Sequence, residues 1–292
     1  MLEPKFNEIS QSSLLGATEI RELASLLNVT PTKKFGQNFV IDPNTVRRIV
    51  TAANLDSEDV VVEIGPGLGS LTLALLPNAA AVVAVEIDKV LADQLPATIA
   101  KHAPNLAKNL TVVCADAMTI TDLPIAPTKL VANLPYNVSV PVVLHFLETF
   151  PSLNEVLVMV QAEVAQRMAA APGSKIYGVP SVKMAWYGQV TKAGTVGRNV
   201  FWPAPNVDSG LVRIVRHEIN LDATLRPKLF AIVDSAFGQR RKTLRTALGQ
   251  VFGKPDEVER ILNEANISPG LRGEQLSLAD FIAIAKAADK VM

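Results

Sequence analysis

The run Asn133-Leu134-Pro135-Tyr136 carries the residue types that an exocyclic adenine amine needs if it is to act as a nucleophile. The lone pair of such an amine is delocalised into the ring, so it attacks poorly. Two acceptors aimed at its hydrogens, the side-chain oxygen of Asn133 and the carbonyl of Leu134, favour a pyramidal nitrogen with a localised lone pair. No strong base is required. Pro135 stiffens the turn. The Tyr136 ring offers a face for an extruded base, a contact worth roughly 1–3 kcal/mol in single-strand binders. An aromatic turn beside a strand end is the plainer reading, and the order of the four residues after a buried strand favours chemistry.

A site for an electrophile is written upstream. Val60-Val61-Val62-Glu63-Ile64-Gly65-Pro66-Gly67-Leu68-Gly69 is a buried strand that runs into a glycine-rich turn before a helix. Nicotinamide cofactors use G-x-G-x-x-G, which seats a pyrophosphate on a helix N-terminus. Here the spacing is G-x-G-x-G, suited to S-adenosylmethionine, which has no phosphate to cradle. Glu86 follows 21 residues after Gly65, at the end of the next strand, where doubly wound folds place an acid for ribose hydroxyls. Asp88 reads as the cap of the helix that follows. Asp116, just after the strand at 110–114, can accept from an adenine amine; standing alone it reads equally as a turn aspartate.

These residues need a scaffold. The segments 60–64, 81–87, 110–114, 129–132 and 155–160 read as short buried strands separated by helices, which predicts an α/β fold, a doubly wound and mostly parallel sheet. Two further β-like stretches, 181–187 and 210–215, extend it. An amphipathic helix is expected from Thr18 and another over 43–53. After His217 only helices are expected, at 225–237, 242–251, 256–265 and 277–288. The predicted organisation is an N-terminal extension (1–29), a catalytic domain (30–218) and a smaller all-helical C-terminal domain (219–292).

Bulk properties narrow the classes. Of 292 residues, 49% are hydrophobic and 19% charged, with no apolar run of the roughly 18 that a membrane span needs. The single cysteine, Cys114, precludes an internal disulfide and, at a strand end, reads as core. The N-terminus lacks the pattern of a secretory signal, so a soluble cytoplasmic protein is expected. Twenty-eight basic residues balance 28 acidic ones, so any nucleic-acid contact must be local. The three histidines, His102, His145 and His217, are scattered, which argues against a metal.

The glycine loop, the Asn-Leu-Pro-Tyr turn, the segment Lys34-Phe35-Gly36-Gln37-Asn38-Phe39 and the later Phe201-Trp202-Pro203-Ala204-Pro205-Asn206-Val207-Asp208-Ser209 together resemble the ribosomal RNA adenine dimethylase family. The resemblance runs from about residue 30 to the end. It is strongest to members that dimethylate two adjacent adenosines in the 3′-terminal hairpin of small-subunit RNA. It implies the class I S-adenosylmethionine-dependent methyltransferase fold and a cofactor site made of Asn38, Val40, Gly65, Glu86, Asp116 and Asn133. Position 40 is Val where the family usually has Leu, and the implied contact is through the backbone. Phe201 is implied beside the target base; a core aromatic is the other reading.

Gln239-Arg240-Arg241-Lys242-Thr243-Leu244-Arg245 places four positive charges within six residues, and Lys33, Lys34, Arg47 and Arg48 cluster near the first site. Such clusters can neutralise phosphates, and a solvated helix face explains them equally. The expected partner is small-subunit RNA, naked or in an assembled particle, met by a monomer with a role in ribosome biogenesis. The rivals are a DNA adenine methyltransferase, a dimethylase of large-subunit RNA, and a non-catalytic RNA-binding assembly or transcription factor on the same fold.

Overall fold

The computed structural model describes residues 13–29, 38–217 and 222–291. In chain order these form α1 (Ala17–Leu26), β1 (Phe39–Val40), α2 (Pro43–Ala53), β2 (Val60–Ile64), α3 (Ser70–Leu75), β3 (Ala81–Glu86), α4 (Lys89–His102), β4 (Leu110–Cys114), β5 (Lys129–Asn133), α5 (Ser139–Thr149) and β6 (Glu155–Gln161). There follow α6 (Ala162–Met168), α7 (Val179–Tyr187), β7 (Gly188–Val196), β8 (Phe201–Trp202), β9 (Ser209–Arg216), α8 (Arg226–Gly238), α9 (Leu244–Ala247), α10 (Gly249–Phe252), α11 (Pro255–Glu264) and α12 (Leu278–Val291).

The main sheet has the order β4-β3-β2-β5-β6-β9-β7. β2 pairs in parallel with both β3 and β5, and β3–β4 and β5–β6 are parallel as well. The chain thus builds outward from β2 to β4, then returns to lay β5 on the other flank of β2. That reversal opens a crevice at the carboxyl ends of β2 and β5, the place where ligands bind in open α/β sheets. The glycine turn leaves β2 there, and Asn133 ends β5 there. At the end of β6 the Ala162 N–H donates to the Asp208 carbonyl at 2.9 Å. The start of β9 therefore meets the end of β6, so β9 runs antiparallel and begins at the same edge. A separate two-stranded ladder pairs Phe39 with Trp202 and Val40 with Phe201.

Contacts divide the described residues into two compact units, one drawn from 13–165 and 191–214, the other from 166–190 and 215–291. The sequence boundary at 218 assigns 166–190 to the first domain; by contacts these residues group with the C-terminal helices. In the first unit, Val61, Val82, Ala84, Val131 and Leu157 of the strands are buried against Leu73, Leu75, Leu95 and Ile99 of the helices. Leu15, Ile20 and Ala24 belong to the same core, so residues 13–29, predicted as an extension outside the domain, pack into it. Helix α1 begins after Gly16, whose N–H donates to Glu19, so its cap lies two residues before the expected Thr18. In the second unit, Leu229, Ile232, Val233, Leu244, Ile261 and Phe281 are fully buried.

Three sequence expectations need correction. Residues 181–187, read as β, lie in helix α7: Pro180 sits in its first turn and Ser181 Oγ accepts the Gly178 N–H. The apolar alternation Val182, Met184, Trp186 is too short to separate the two periods, and the Pro and cap decide it. The helix expected over 242–251 starts at Leu244 and is split into α9 and α10 at Leu248, where the Val251 N–H turns to the Leu248 carbonyl and the Ala247 carbonyl accepts the buried Ser235 hydroxyl at 2.6 Å. Cys114, read as core, is exposed, since β4 is the edge strand of the sheet.

Candidate active site

The crevice holds a cavity of about 260 Å³ lined by residues from β1, the glycine turn, the ends of β3 and β4, and the Asn133–Val138 turn. Gly65, Gly67 and Gly69 have φ of 68°, 57° and 96°, a region that side-chain-bearing residues rarely adopt. A Cβ on Gly67 would lie 2.9 Å from Phe39 Cε1, so the turn is held tight against β1 and keeps its wall of the cavity bare.

Glu86 is buried at the end of β3, with Oε2 accepting the Gly67 N–H at 3.1 Å and Oε1 the Asp88 N–H at 3.0 Å. These bonds fix the carboxylate beside the glycine turn and oppose the effect of burial, which raises its pKa. Asp88 does cap α4, accepting the Val90 N–H at 2.9 Å. Asp116 accepts the Met118 N–H on Oδ1 at 2.8 Å, a turn aspartate in form. Among the described residues its second oxygen has no hydrogen-bond partner, and the residue lines the cavity, so the two readings of Asp116 are compatible. Asn38 and Val40 line the cavity from β1 and its approach.

Asn133 Nδ2 donates to the Asn38 carbonyl at 3.0 Å. Leu134 is anchored through its N–H on the Met159 carbonyl at 3.1 Å. Tyr136 is partly buried, and its hydroxyl shares a 2.8 Å hydrogen bond with Ser209 Oγ. Burial pushes the Tyr136 phenol up, so it keeps its proton.

One acid of the glycine-loop run carried no role of its own in the sequence reading. Glu63, two residues before Gly65, is 1% exposed, lines the cavity and accepts the Thr72 hydroxyl at 2.6 Å. Burial pushes its carboxyl up to about 8; the Thr72 bond opposes this and the Glu86 charge adds to it. A charged residue inside an otherwise apolar strand, Val60-Val61-Val62-Glu63-Ile64, was the available signal.

Phe201 is 3% exposed in the core of the first unit and does not line the cavity. Its neighbour Trp202 stacks on Phe39, ring centroids 6.3 Å apart. Lys33 and Lys34 lie outside the described residues. Arg47 and Arg48 are exposed on α2, bonded to Asn44 Oδ1 and the Thr195 carbonyl. In the second unit the basic run forms a turn at 239–242 and leads into the start of α9, where Arg245 lies. Arg240 pairs with Glu274 at 3.0 Å and donates to the Lys175 carbonyl, and Arg245 pairs with Glu259 at 2.6 Å. Arg241 and Lys242 stay exposed. Among the described residues no group of three or more His, Cys, Asp and Glu is placed to hold a metal ion.

The family described as ribosomal RNA adenine dimethylase matches residues 29–290. A ribosomal RNA small subunit methyltransferase A of Corynebacterium efficiens is 61% identical over 282 residues, 95% of this chain and 98% of its own length. The protein of the same description from Streptomyces coelicolor is 59% identical over 276 residues, 94% of this chain and 96% of that one. Among solved structures, the 23S rRNA methyltransferase ErmE has a TM-score of 0.64 at 26% identity, covering 86% of this chain and 100% of that one. A dimethyladenosine transferase from Plasmodium falciparum has a TM-score of 0.73 and covers 86% and 97%; at 24% identity that likeness speaks for the fold.

Proposed function

Because the chain belongs to the ribosomal RNA adenine dimethylase family, we propose that it transfers methyl groups from S-adenosylmethionine to N6 of two adjacent adenosines in the 3′-terminal hairpin of small-subunit ribosomal RNA. The product is N6,N6-dimethyladenosine. The observation that carries this reading is the Asn133 amide, whose donor side is spent on the Asn38 carbonyl at 3.0 Å. A carbonyl partner demands the NH2 group, so the amide turns its oxygen the other way, available to an amine hydrogen.

The residues present fit the cofactor. A bare glycine wall, which a Cβ on Gly67 would fill, a buried acid at Glu86 and an open carboxylate oxygen at Asp116 match an amino-acid tail, a ribose and an adenine amine. Asn38, Val40, Gly65, Glu86, Asp116 and Asn133 are assigned to hold it. When bound, S-adenosylmethionine supplies a methyl group made electrophilic by its sulfonium.

The chain's own contribution is positioning and polarisation. Asn133 Oδ1 and the Leu134 carbonyl accept from the two N6 hydrogens of an adenine that has left its stack. Pro135 holds the turn, and Tyr136 carries the base on its face. The proton released on transfer needs no dedicated base, because the methylated ammonium is strongly acidic. Arg241 and Lys242 are assigned to RNA phosphates. Arg240 and Arg245, included in that set on sequence grounds, spend their charge on Glu274 and Glu259. Phe201 acts from behind, supporting Val40 through the β1–β8 pairing. Action as a monomer is part of the proposal, and no described helix is long and apolar enough to cross a membrane. The setting is ribosome biogenesis in the cytoplasm.

The test is a transfer assay with methyl-labelled S-adenosylmethionine against unmethylated small subunits, large subunits, naked ribosomal RNA and duplex DNA, followed by nucleoside analysis. N6-dimethyladenosine confined to small subunits or their RNA is the expected result. Label in large-subunit RNA or DNA moves the assignment to that substrate, and binding without label makes the protein an assembly factor.

A further inference from the structure

The segment 201–209 is distinctive in sequence, yet of its two aromatic residues Phe201 lies in the core and Trp202 packs against it, and neither lines the cavity, so a direct contribution to the site must come from elsewhere in the segment. Its last residue, Ser209, is 0% exposed. A buried hydroxyl weakens a fold unless it is hydrogen-bonded, and an alanine would fill the place at no such cost. Among the described residues the side chain of Ser209 has one partner, the hydroxyl of Tyr136, at 2.8 Å.

Ser209 stands on rigid ground. The preceding Asp208 accepts the Ala162 N–H on its carbonyl at 2.9 Å and the Arg198 N–H on its carboxylate at 3.1 Å. The following Gly210 runs so close to α6 that a Cβ there would lie 2.7 Å from Ala165 Cβ. β6 separates β5 from β9 in the sheet. The Tyr136–Ser209 bond therefore reaches over the end of β6, from the turn that follows β5 to the strand on its far side. The phenol oxygen lies on the axis of the second ring torsion, so a bond there fixes the first torsion and with it the place where the ring stands, which a stacking platform needs and packing at Cβ alone does not provide.

We infer that Ser209 is a positioning residue for methyl transfer, holding the Tyr136 ring in the place where the target adenine stacks on it. The inference rests on the stacking role of Tyr136 given above. It assigns the end of the 201–209 segment to orientation of the acceptor base.

The experiment is a double-mutant cycle of Ser209→Ala and Tyr136→Phe in the full chain, with Tyr136→Ala alongside. It is assayed with labelled S-adenosylmethionine and unmethylated small subunits for kcat, cofactor KM and Tm. Each single variant is expected to lower kcat roughly five-fold with cofactor KM unchanged. The double variant should be no slower than either single, because both remove the same bond. Wild-type kcat in Ser209→Ala with Tyr136→Ala inactive overturns the inference and leaves the stacking role standing. Additive losses in the double variant also overturn it, since Ser209 then acts on something other than the phenol. Full activity in Tyr136→Ala removes the stacking role and the inference together. Should Ser209→Ala fail to fold, Tyr136→Phe interrogates the bond from its other end, and wild-type kcat there refutes the assignment.

Discussion

Asn133 and Asn38, 95 positions apart in the chain, are joined by a 3.0 Å hydrogen bond in which the Asn133 amide nitrogen donates to the Asn38 carbonyl. This bond links the Asn133 turn to the approach to β1, and in the proposed mechanism it sets which end of the amide faces the reacting amine. Replacing Asn133 by Ala removes the acceptor, and by Asp removes the donor, leaving a carboxylate facing a carbonyl. Both variants are expected to lose on the order of a hundred-fold or more in kcat with Tm nearly unchanged. Labelled methyl transfer and a thermal melt check this together. Near-normal turnover in Asn133→Ala would remove the polarisation mechanism.

Gly67 combines a φ of 57° with a Cβ position 2.9 Å from the Phe39 ring. Gly67→Ala is expected to cost about 1–3 kcal/mol in stability and to raise cofactor KM by an order of magnitude or so. Urea unfolding and cofactor titration measure the two effects. A variant with unaltered cofactor affinity would show that the turn does not approach the ligand.

Glu63 makes stability depend on pH in a definite direction. Its folded carboxyl titrates at about 8 against 4.5 for the exposed group. Between those values the folded chain holds a proton that the unfolded chain has lost, so stability falls as pH rises through that window and levels off above it. Glu63→Gln keeps an acceptor for Thr72 and removes the titration. Its stability relative to the wild type should grow with pH across the window, by up to about 1.4 kcal/mol per unit. Denaturant midpoints of the cofactor-free proteins at pH 5, 6.5 and 8 test this, and a pH-independent difference would mean that Glu63 is charged in the fold.

The basic turn of the second unit separates into two kinds of charge. Arg241→Ala and Lys242→Ala are each expected to weaken RNA binding and make its logarithmic salt dependence shallower by about 0.7–0.9, leaving Tm alone. Arg240→Ala should instead lower stability by about 1 kcal/mol through loss of Glu274 and the Lys175 carbonyl. Filter binding across a salt series with parallel melts distinguishes them. An unchanged slope in Arg241→Ala and Lys242→Ala would take this turn out of the RNA surface.

The sheet was legible because its central strands are buried on both faces and read as mostly apolar runs: Val60–Ile64, interrupted only by Glu63, and residues 156–160 within Glu155–Gln161 carry their own signal. β7 escaped because it is an edge strand, rich in Gly, Thr and Lys, whose partner and not its composition makes it a strand. The same logic misplaced Cys114, since nothing in Leu110–Cys114 says that the strand is outermost. The Gly65 turn, Glu86 and the Asn133 turn were legible because each follows its strand directly. The Asn38–Asn133 and Tyr136–Ser209 bonds were not, because pairings 95 and 73 residues apart depend on strand order. The charges at 240–245 were visible as charges, but their ion pairs with Glu274 and Glu259 were not.

The register that sets Cys114 opposite Glu86 on the outermost strand leaves the chain's one thiol in solvent, two residues from Asp116. Maleimide chemistry therefore has a single address on this protein, at the rim of the cleft and away from the acceptor turn. An environment-sensitive dye attached there reads the drying of that rim as light, so ligand arrival can be followed in real time on the unmutated chain.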